Sequence, residues 1–196
     1  MLYEFYDCES NSVLIPIASV EEIRAIDRSA QFSMEVLIER AGAAVARSAL
    51  RELGGSYGRR VVVVSGKGFN GEDGKVAAKR LERRGVRVQL INADDAPKEL
   101  PDVDLVVDAA YGTGLKRPYK SPKTNSTVLS VDIPSGVDGD TGSSIGRPFK
   151  AKKTLTLNAL KPGHIFSDGA YLSGELEIVD IGLDTSSLSC GLVTID

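Results

Sequence analysis

Apolar residues recur at helical spacing in the first quarter of the chain. Ser19, with a glutamate three residues later, forms a capping box ahead of an apolar stripe, which predicts a helix over about 20–30. Ser33 precedes a second stripe over 34–53, which stops at Gly54. The sequence therefore predicts two helices before the first strand.

From Arg60 onward the pattern becomes a series of apolar strands, each ending in a small or polar loop. The first, VVVVS, is β-branched and typical of a strand buried on both faces, and a glycine turn and a helix to about Arg84 follow it. Five further strand segments lie within 86–92, 104–114, 127–136, 153–158 and 174–182. This order predicts one α/β domain over 1–196, a three-layer αβα Rossmann-like sandwich with a mainly parallel sheet. Binding groups should gather at the carboxyl ends of the strands.

Two connections lack the helix that a parallel crossover normally needs. Residues 92–103 carry no helical stripe, and residues 111–126 are rich in Gly, Pro, Lys and Ser. The sequence thus predicts that two crossover helices are missing and that part of one sheet face is bare. A large bare apolar face needs a partner, so we expect a homo-oligomer, in the first instance a homodimer.

Composition narrows the classes of function. The chain is 42% hydrophobic and 26% charged with a net charge of −3, which is ordinary for a globular protein and offers no basic field for nucleic acid. His164 is the only histidine, and Cys8 and Cys190 lie near opposite ends, so no Cys/His metal cage is expected. No signal-peptide pattern and no long apolar run occurs, so we expect a cytoplasmic protein without membrane contacts.

The glycine turn over 66–74, GKGFNGEDG, has two opposing features. Its glycines match G-x-G-x-x-G, a dinucleotide fingerprint in which an anion lies on the helix N-terminus. Glu72 and Asp73 would repel an anion there, and Val76 stands where a Walker loop needs a hydroxyl. A carboxylate at this turn suits ribose hydroxyls, a cation or its own helix end. For Asp73, a helix cap and a ligand contact are equally good interpretations.

Two later loops carry further polar groups. The segment 108–118, DAAYGTGLKRP, begins with an acid that ends an apolar run. Its glycines allow close approach to a ligand, and Lys116 and Arg117 provide positive charge for a phosphate, unless they belong to a solvated loop. The segment 131–142, VDIPSGVDGDTG, again places an acid, Asp132, after a strand.

Oxygen-bearing side chains follow three adjacent strands. Asn70, Asp108 and Ser135 should face one crevice, and together they carry one formal negative charge. Such a set suits a weakly held monovalent cation better than magnesium or calcium, which usually gather more carboxylates.

In chain order, several motifs resemble one family. They are SVEEIRAID, MEVLIERAG, GKGFNGEDG, DAAYGTGL, VDIPSGVDGDTG, TLTLNALKPG and GELEIVDIG. Together they cover nearly the whole chain and resemble the NAD(P)H-hydrate epimerase family, the YjeF N-terminal domain. The resemblance implies an isomerase for nicotinamide nucleotide repair, which interconverts the R and S epimers of NADH or NADPH hydrated at C6, with a potassium ion beside the substrate.

The resemblance also implies roles for individual residues. Asn70, Asp108 and Ser135 would bind potassium, and Asp132 would be the acid or base that assists loss and return of water at C6. Lys161 matches a family lysine near the pocket, with a solvated turn lysine as an equal alternative. The substrate contacts would be Phe69, Asn70, Gly71, Glu72, Asp73, Gly112, Thr113, Gly114, Leu115, Lys116, Arg117, Pro118 and Asp132.

Two departures from the family pattern keep a second hypothesis open. Phe69 replaces an asparagine and Glu72 a glycine, and either change could abolish turnover while the fold survives. The chain would then be a catalytically inactive ligand-binding or scaffolding module, like relatives in RNA-decay assemblies. A Rossmann dehydrogenase rests on the glycine fingerprint alone and ranks last. Dehydration of the S epimer belongs to a kinase-like domain, which we expect in a separate dehydratase; preference between hydrated NADH and NADPH stays open.

Overall fold

The computed structural model describes residues 12–188 and 190–194, and its centre is a parallel sheet. Its helices are α1 (Val20–Arg28), α2 (Met34–Leu53), α3 (Phe69–Arg83) and α4 (Ser167–Leu172). Its strands are β1 (Ser12–Pro16), β2 (Arg60–Ser65), β3 (Arg87–Asn92), β4 (Leu105–Ala109), β5 (Tyr119–Lys120), β6 (Val128–Val131), β7 (Gly146–Arg147), β8 (Lys153–Leu157), β9 (Glu175–Val179) and β10 (Cys190–Thr194). Short 3₁₀ turns span Ala93–Asp95 and Pro162–His164.

Six strands form the central sheet in the order β3-β2-β4-β6-β8-β9, and every neighbouring pair is parallel. The register places Val63 beside Leu90 on one neighbour and Val107 on the other. The predicted Rossmann-like α/β architecture is confirmed. β1 and β10 form a separate antiparallel pair, which the sequence did not indicate. Residues 1–11 lie outside the described part of the chain.

Helices α2 and α3 pack together on one face of the sheet. Gly42 of α2 is needed at their contact, because a Cβ atom there would lie 2.5 Å from the Cβ of Val76. Val61, Val63 and Leu81 fill the core beneath, all at most 1% exposed. The predicted helix over 34–53 is confirmed, with a left-handed Gly54 after it.

Helix α3 begins earlier than the sequence indicated. Gly68, at φ 101°, precedes it, so the predicted turn over 69–73 is the first part of the helix. Asp73 is therefore not a helix cap, because the cap position belongs to Gly68, which has no side chain. Glu72 points to a neighbour on its own helix and pairs with Lys75 at 2.7 Å.

The opposite face of the sheet lacks the two crossover helices, as predicted, but it is not bare. Val62, Val64 and Val106 have no exposed surface. Coil segments cover them with large side chains, among which are Leu100 and Phe149. The prediction of an exposed apolar patch is therefore wrong, because closely packed coil covers this face in place of helices. The covered face gives no reason to expect a partner subunit there.

Candidate active site

A cavity of about 660 Å³ opens at the carboxyl ends of β2, β4, β6 and β8. That volume is typical of a small-molecule site. Ten of the predicted contact residues line it: Phe69, Asn70, Asp73, Gly112, Thr113, Gly114, Leu115, Lys116, Arg117 and Asp132. Gly71, Glu72 and Pro118 are not among its lining residues, and Asp108 and Ser135 are fully buried next to it.

Asp132 stands on a tight turn directly after β6. Its φ of 66° is left-handed, which is uncommon for a residue other than glycine. The N–H of Ile133 donates to the carbonyl of Val131 at 2.8 Å across the turn, and the N–H of Asp132 donates to Leu155 O at 2.7 Å. A three-residue turn of this hand is rare and strained. It ends the strand abruptly, and Asp132 becomes part of the cavity wall.

Lys161 reaches Asp132 from the loop after β8. Its Nζ forms an ion pair with Asp132 Oδ1 and donates to Thr156 Oγ1 at 2.8 Å. Although it is a lysine, only 1% of it is exposed. A buried ammonium needs a counter-charge, which Asp132 provides. The interpretation of Lys161 as a solvated turn residue is wrong.

His164 completes this group, in a role that was not predicted from the sequence. Its Nδ1 accepts the N–H of Lys161 at 2.9 Å, while its Nε2 lies 2.7 Å from the main-chain oxygen of Asp132. These bonds assign a neutral ring with the proton on Nε2. Burial, and then the charge of Lys161, lower the pKa of His164 to about 4. A single histidine in a turn gives no sequence signal for such a position.

Asp108 and Ser135 meet below the cavity. The Ser135 hydroxyl lies 2.6 Å from Asp108 Oδ1, and the Ser135 N–H donates to Oδ2 at 2.8 Å. Ser130 Oγ and the N–H of Ala110 also donate to this carboxylate. Burial raises the pKa of Asp108. No lysine or arginine within the described residues forms an ion pair with Asp108.

Asn70 lies beside Gly112, on the first turn of α3. A Cβ atom at Gly112 would be 3.7 Å from the Asn70 Cβ and 3.3 Å from Asp132 Oδ2. Both amide atoms of Asn70 are buried, and neither has a hydrogen-bond partner among the described residues. Buried amides are nearly always paired, so the Asn70 amide is a candidate to bind a ligand. The structure thus joins Asp108 to Ser135 directly, and Asn70 and Asp132 both lie against Gly112.

Two more carboxyl groups make the wall around Asp132 acidic. Asp73 of α3 is 4% exposed, and burial, followed by the charges of Asp132 and Glu72, raises its pKa to about 8. Asp27 of α1 lines the same cavity, and burial with the Asp132 charge raises its pKa too. The sequence gives no sign of this role for Asp27, because an acid on an amphipathic helix is usually solvated.

The rim of the cavity is basic. Asp94, from the short 3₁₀ turn after β3, lies 3.2 Å from Lys67 Nζ and 2.8 Å from an Arg117 nitrogen, and it accepts the Tyr111 hydroxyl at 2.7 Å. These donors lower the pKa of Asp94 to about 2. A dehydrogenase would use an acid after this strand for the ribose. Here that acid is occupied by two cations and a phenol, which disfavours the dehydrogenase interpretation.

The remaining wall is apolar and comes from α1, α2, the end of β8 and the loop after β9. Its residues are Ile23, Met34, Leu37, Ile38, Leu157 and Ile181. The cavity therefore offers a surface for a ring, carboxyl groups for proton transfer and cations for an anionic tail. Within the described residues, no group of three His, Cys, Asp or Glu side chains could hold a metal ion.

Sequence comparison identifies the family of the chain. The sequence profile described as "YjeF-related protein N-terminus" matches residues 34–98 and 89–163. The chain belongs to this family. Among its relatives is the "Bifunctional NAD(P)H-hydrate repair enzyme Nnr" of Thermofilum pendens, 36% identical over 83% of this chain and 39% of that protein. Another is the "NAD(P)H-hydrate epimerase" of Rhodopirellula baltica, 29% identical over 86% of this chain and 85% of that protein.

A solved structure of the yeast protein ynu0, YNL200c, is similar in fold. The TM-score is 0.64 at 23% identity, covering 75% of this YjeF-related chain and 82% of the yeast chain. The chain spans about two fifths of the length of the bifunctional enzymes it matches. None of the helices that the structure describes has the length and hydropathy needed to span a bilayer.

Proposed function

We propose that this chain is an NAD(P)H-hydrate epimerase, which interconverts the R and S epimers of NADH or NADPH hydrated at C6 of the nicotinamide ring. The observation that carries the proposal is the ion pair of Asp132 with buried Lys161 at the wall of a cavity with an apolar side and a basic rim. The name of the Rhodopirellula baltica relative, matched over 85% of its length, supports the same activity.

Asp132 is the proposed acid–base group. A carboxyl proton passes to the C6 hydroxyl, the C6–O bond breaks, and the lone pair of the ring nitrogen forms a C=N bond as water leaves. Water then attacks the other face of C6 and returns its proton to the carboxylate. Lys161 holds that carboxylate in place through its ion pair.

The acidic wall suits the charge that develops in this reaction. When water leaves C6, the ring is left with a positive charge. The carboxyl groups of Asp27 and Asp132 line the cavity that would hold this ring. Fixed charges in a partly dry site stabilise such a cation without reorganising. The apolar residues of α1 and α2 would pack against the ring and exclude bulk water.

Potassium is the proposed cofactor, and the residues present fit it. Asp108 is a buried carboxylate with only neutral donors around it, and the amide of Asn70 is buried without a partner in the described part of the chain. Asn70, Asp108 and Ser135 would hold the ion, which when bound supplies one positive charge beside the substrate. A hard monovalent cation prefers such oxygen donors.

Lys67, Lys116 and Arg117 form the proposed subsite for the phosphates. All three line the rim, and exposed cations at a rim bind phosphate as well as guide its approach. The inactive scaffolding module is the weaker candidate. Phe69 lies at the mouth with 61% of its surface exposed, and Glu72 pairs with Lys75, so neither fills the cavity.

Three further features complete the proposal. The chain works in the cytoplasm, as a homodimer, and a separate dehydratase removes the S epimer. The printed names of the bifunctional relatives, "NAD(P)H-hydrate repair enzyme", support a second repair activity beside epimerisation. The dimer no longer follows from a bare sheet face, and its test is the mass in solution: a mass that stays monomeric at all concentrations contradicts it.

Conversion of the pure R epimer tests the activity itself. The purified chain is incubated with R-hydrated NADPH or NADH in potassium buffer, and the two epimers are separated by chromatography over time. We expect approach to the same R/S mixture from either pure epimer, faster than in buffer alone. Conversion no faster than in buffer alone would contradict the proposal and favour the scaffolding module.

A further inference from the structure

His164 braces the main chain of Asp132 from outside the cavity. It is 1% exposed and does not line the cavity wall. Its Nε2–H donates to Asp132 O at 2.7 Å, and its Nδ1 accepts the Lys161 N–H at 2.9 Å. One imidazole therefore bonds to the backbone of both members of the ion pair.

A second strand end shows why Asp132 needs such a brace. Asn158, after β8, has a φ of 61° and a similar turn, in which Ala159 N–H donates to Leu157 O at 2.7 Å. The Asn158 side chain supports its own turn by accepting the Ile181 N–H at 3.0 Å. The Asp132 carboxylate is engaged with Lys161 instead. Its strained backbone therefore depends on another residue.

We propose that His164 is a positioning residue for the epimerase reaction: its bond to Asp132 O holds the left-handed turn, so that the carboxylate remains on Lys161 and faces the substrate. This inference rests on the proposed function of Asp132. Without the bond, the turn relaxes toward unstrained backbone angles and the carboxylate moves away from C6. A displacement of about 1 Å in a catalytic group costs roughly 100-fold in rate.

Two substitutions separate the two bonds of the ring. Glutamine in His164→Gln places an amide N–H near the position of Nε2, so it keeps the donor to Asp132 O and loses the acceptor for Lys161. Asparagine in His164→Asn keeps the acceptor and is too short to reach Asp132. Each variant loses one buried hydrogen bond, so we expect both to lose a similar amount of folding stability.

We expect His164→Asn to lower kcat by roughly 10- to 100-fold with KM within about twofold, and His164→Gln to stay within about threefold of the wild type. Thermal unfolding of the two variants should agree. Equal kcat in both variants, whether high or low, overturns the inference. A wild type that leaves the R epimer unchanged overturns the proposed function and with it this catalytic role.

Nitrogen NMR of the ring provides a readout that needs no turnover. His164 is the only histidine of the chain, so its imidazole signals are unambiguous. The neutral ring with hydrogen on Nε2 is the expected state at pH 7. A spectrum of the Nδ1–H form, or of the doubly protonated ring, contradicts the bond to Asp132 and overturns the inference whatever the kinetics show.

Discussion

Two acids end neighbouring strands of the same sheet, yet their surroundings differ in kind. Asp108, at the end of β4, has no exposed surface, and the donors that it meets among the described residues are all neutral. Asp132, after β6, lines the cavity and pairs with a lysine. In the sequence, both acids stand in the same way at the end of an apolar strand segment. The partner of a carboxylate therefore decides its role: neutral donors leave a negative charge for an ion to balance, whereas a lysine balances that charge and holds the carboxylate at the cavity wall.

The largest effect is expected when the carboxylate of Asp132 is replaced, and it is a loss of epimerase activity. Asp132→Asn should lower kcat by at least roughly 100-fold, because the amide cannot transfer the proton. Asparagine tolerates the left-handed backbone, so the fold should persist, but with a free energy of unfolding lowered by about 3 kcal/mol, because buried Lys161 loses its counter-charge. Epimerisation rates and circular dichroism measure the two effects. Asp102→Asn, in an exposed loop, is the control, and a similar loss in both variants would contradict the special role of Asp132.

Removal of the lysine should give the next largest effect. Lys161→Met keeps most of the buried volume and leaves Asp132 without its cation. We expect a loss of about 3 kcal/mol in the free energy of unfolding, because one partner of a largely buried pair is left alone. Urea denaturation of the wild type and variant measures it. The exposed Lys79→Met serves as the matched control, and equal stability of both variants would show that the pair is not a structural contact.

Potassium should act through Asp108 and not through Asp132. Potassium at a concentration about 100 times its Kd should stabilise the wild type by roughly 2.7 kcal/mol, and sodium or choline by less. Asp108→Asn should abolish this response, whereas Asp132→Asn should keep it. Thermal unfolding in chloride salts at constant ionic strength measures the response. Stabilisation of the Asp108 variant by potassium would place the ion elsewhere.

Asp73 offers a pH test of the acidic wall. Because its pKa is raised to about 8, the folded chain holds a proton that the unfolded chain releases near pH 4. This contribution to stability is present at low pH and is lost as pH rises from about 4 to 8. Asp73→Asn removes the loss, so its stability relative to the wild type should rise by up to about 4 kcal/mol between pH 5 and 9. A stability difference that is independent of pH would mean that Asp73 is ionised.

The smallest effect is expected at Glu72. Its charge pairs with Lys75 on the exposed side of α3, so Glu72→Gln should change kcat and stability little, by less than about 1 kcal/mol. A large fall in kcat would show that Glu72 reaches the substrate after all. The first turn of α3, which follows β2, would then contribute a third acid to the site.

The sequence predicted the sheet, both long helices and the strand ends that form the cavity, because β-branched runs and capping signals are local. It did not predict that coil covers the second sheet face, since Leu100 and Phe149 reach that face only through tertiary packing. The helix start at Phe69 was missed because Gly68 turns the chain within one residue.

The site was predictable only where polar residues follow strands. Asp108, Asp132 and Ser135 were found in this way, and the motif ALKPG pointed to Lys161. The positions of His164 and Asp27 in the site were not predicted, and neither were the contacts of Asp94 with Lys67, Arg117 and Tyr111. Each lies in a turn or on a helix face where polar residues are ordinarily solvated, and only the folded chain brings them to Asp132 or to Arg117.

Oxygen exchange at C6 tests the central claim most directly. The R epimer is incubated with the chain in water enriched in oxygen-18, and mass spectrometry of the S epimer reads the isotope. If Asp132 assists loss and return of water, each newly formed S epimer carries one solvent oxygen, and Asp132→Asn forms labelled S epimer no faster than buffer alone. S epimer that forms rapidly and keeps its original oxygen would contradict the account.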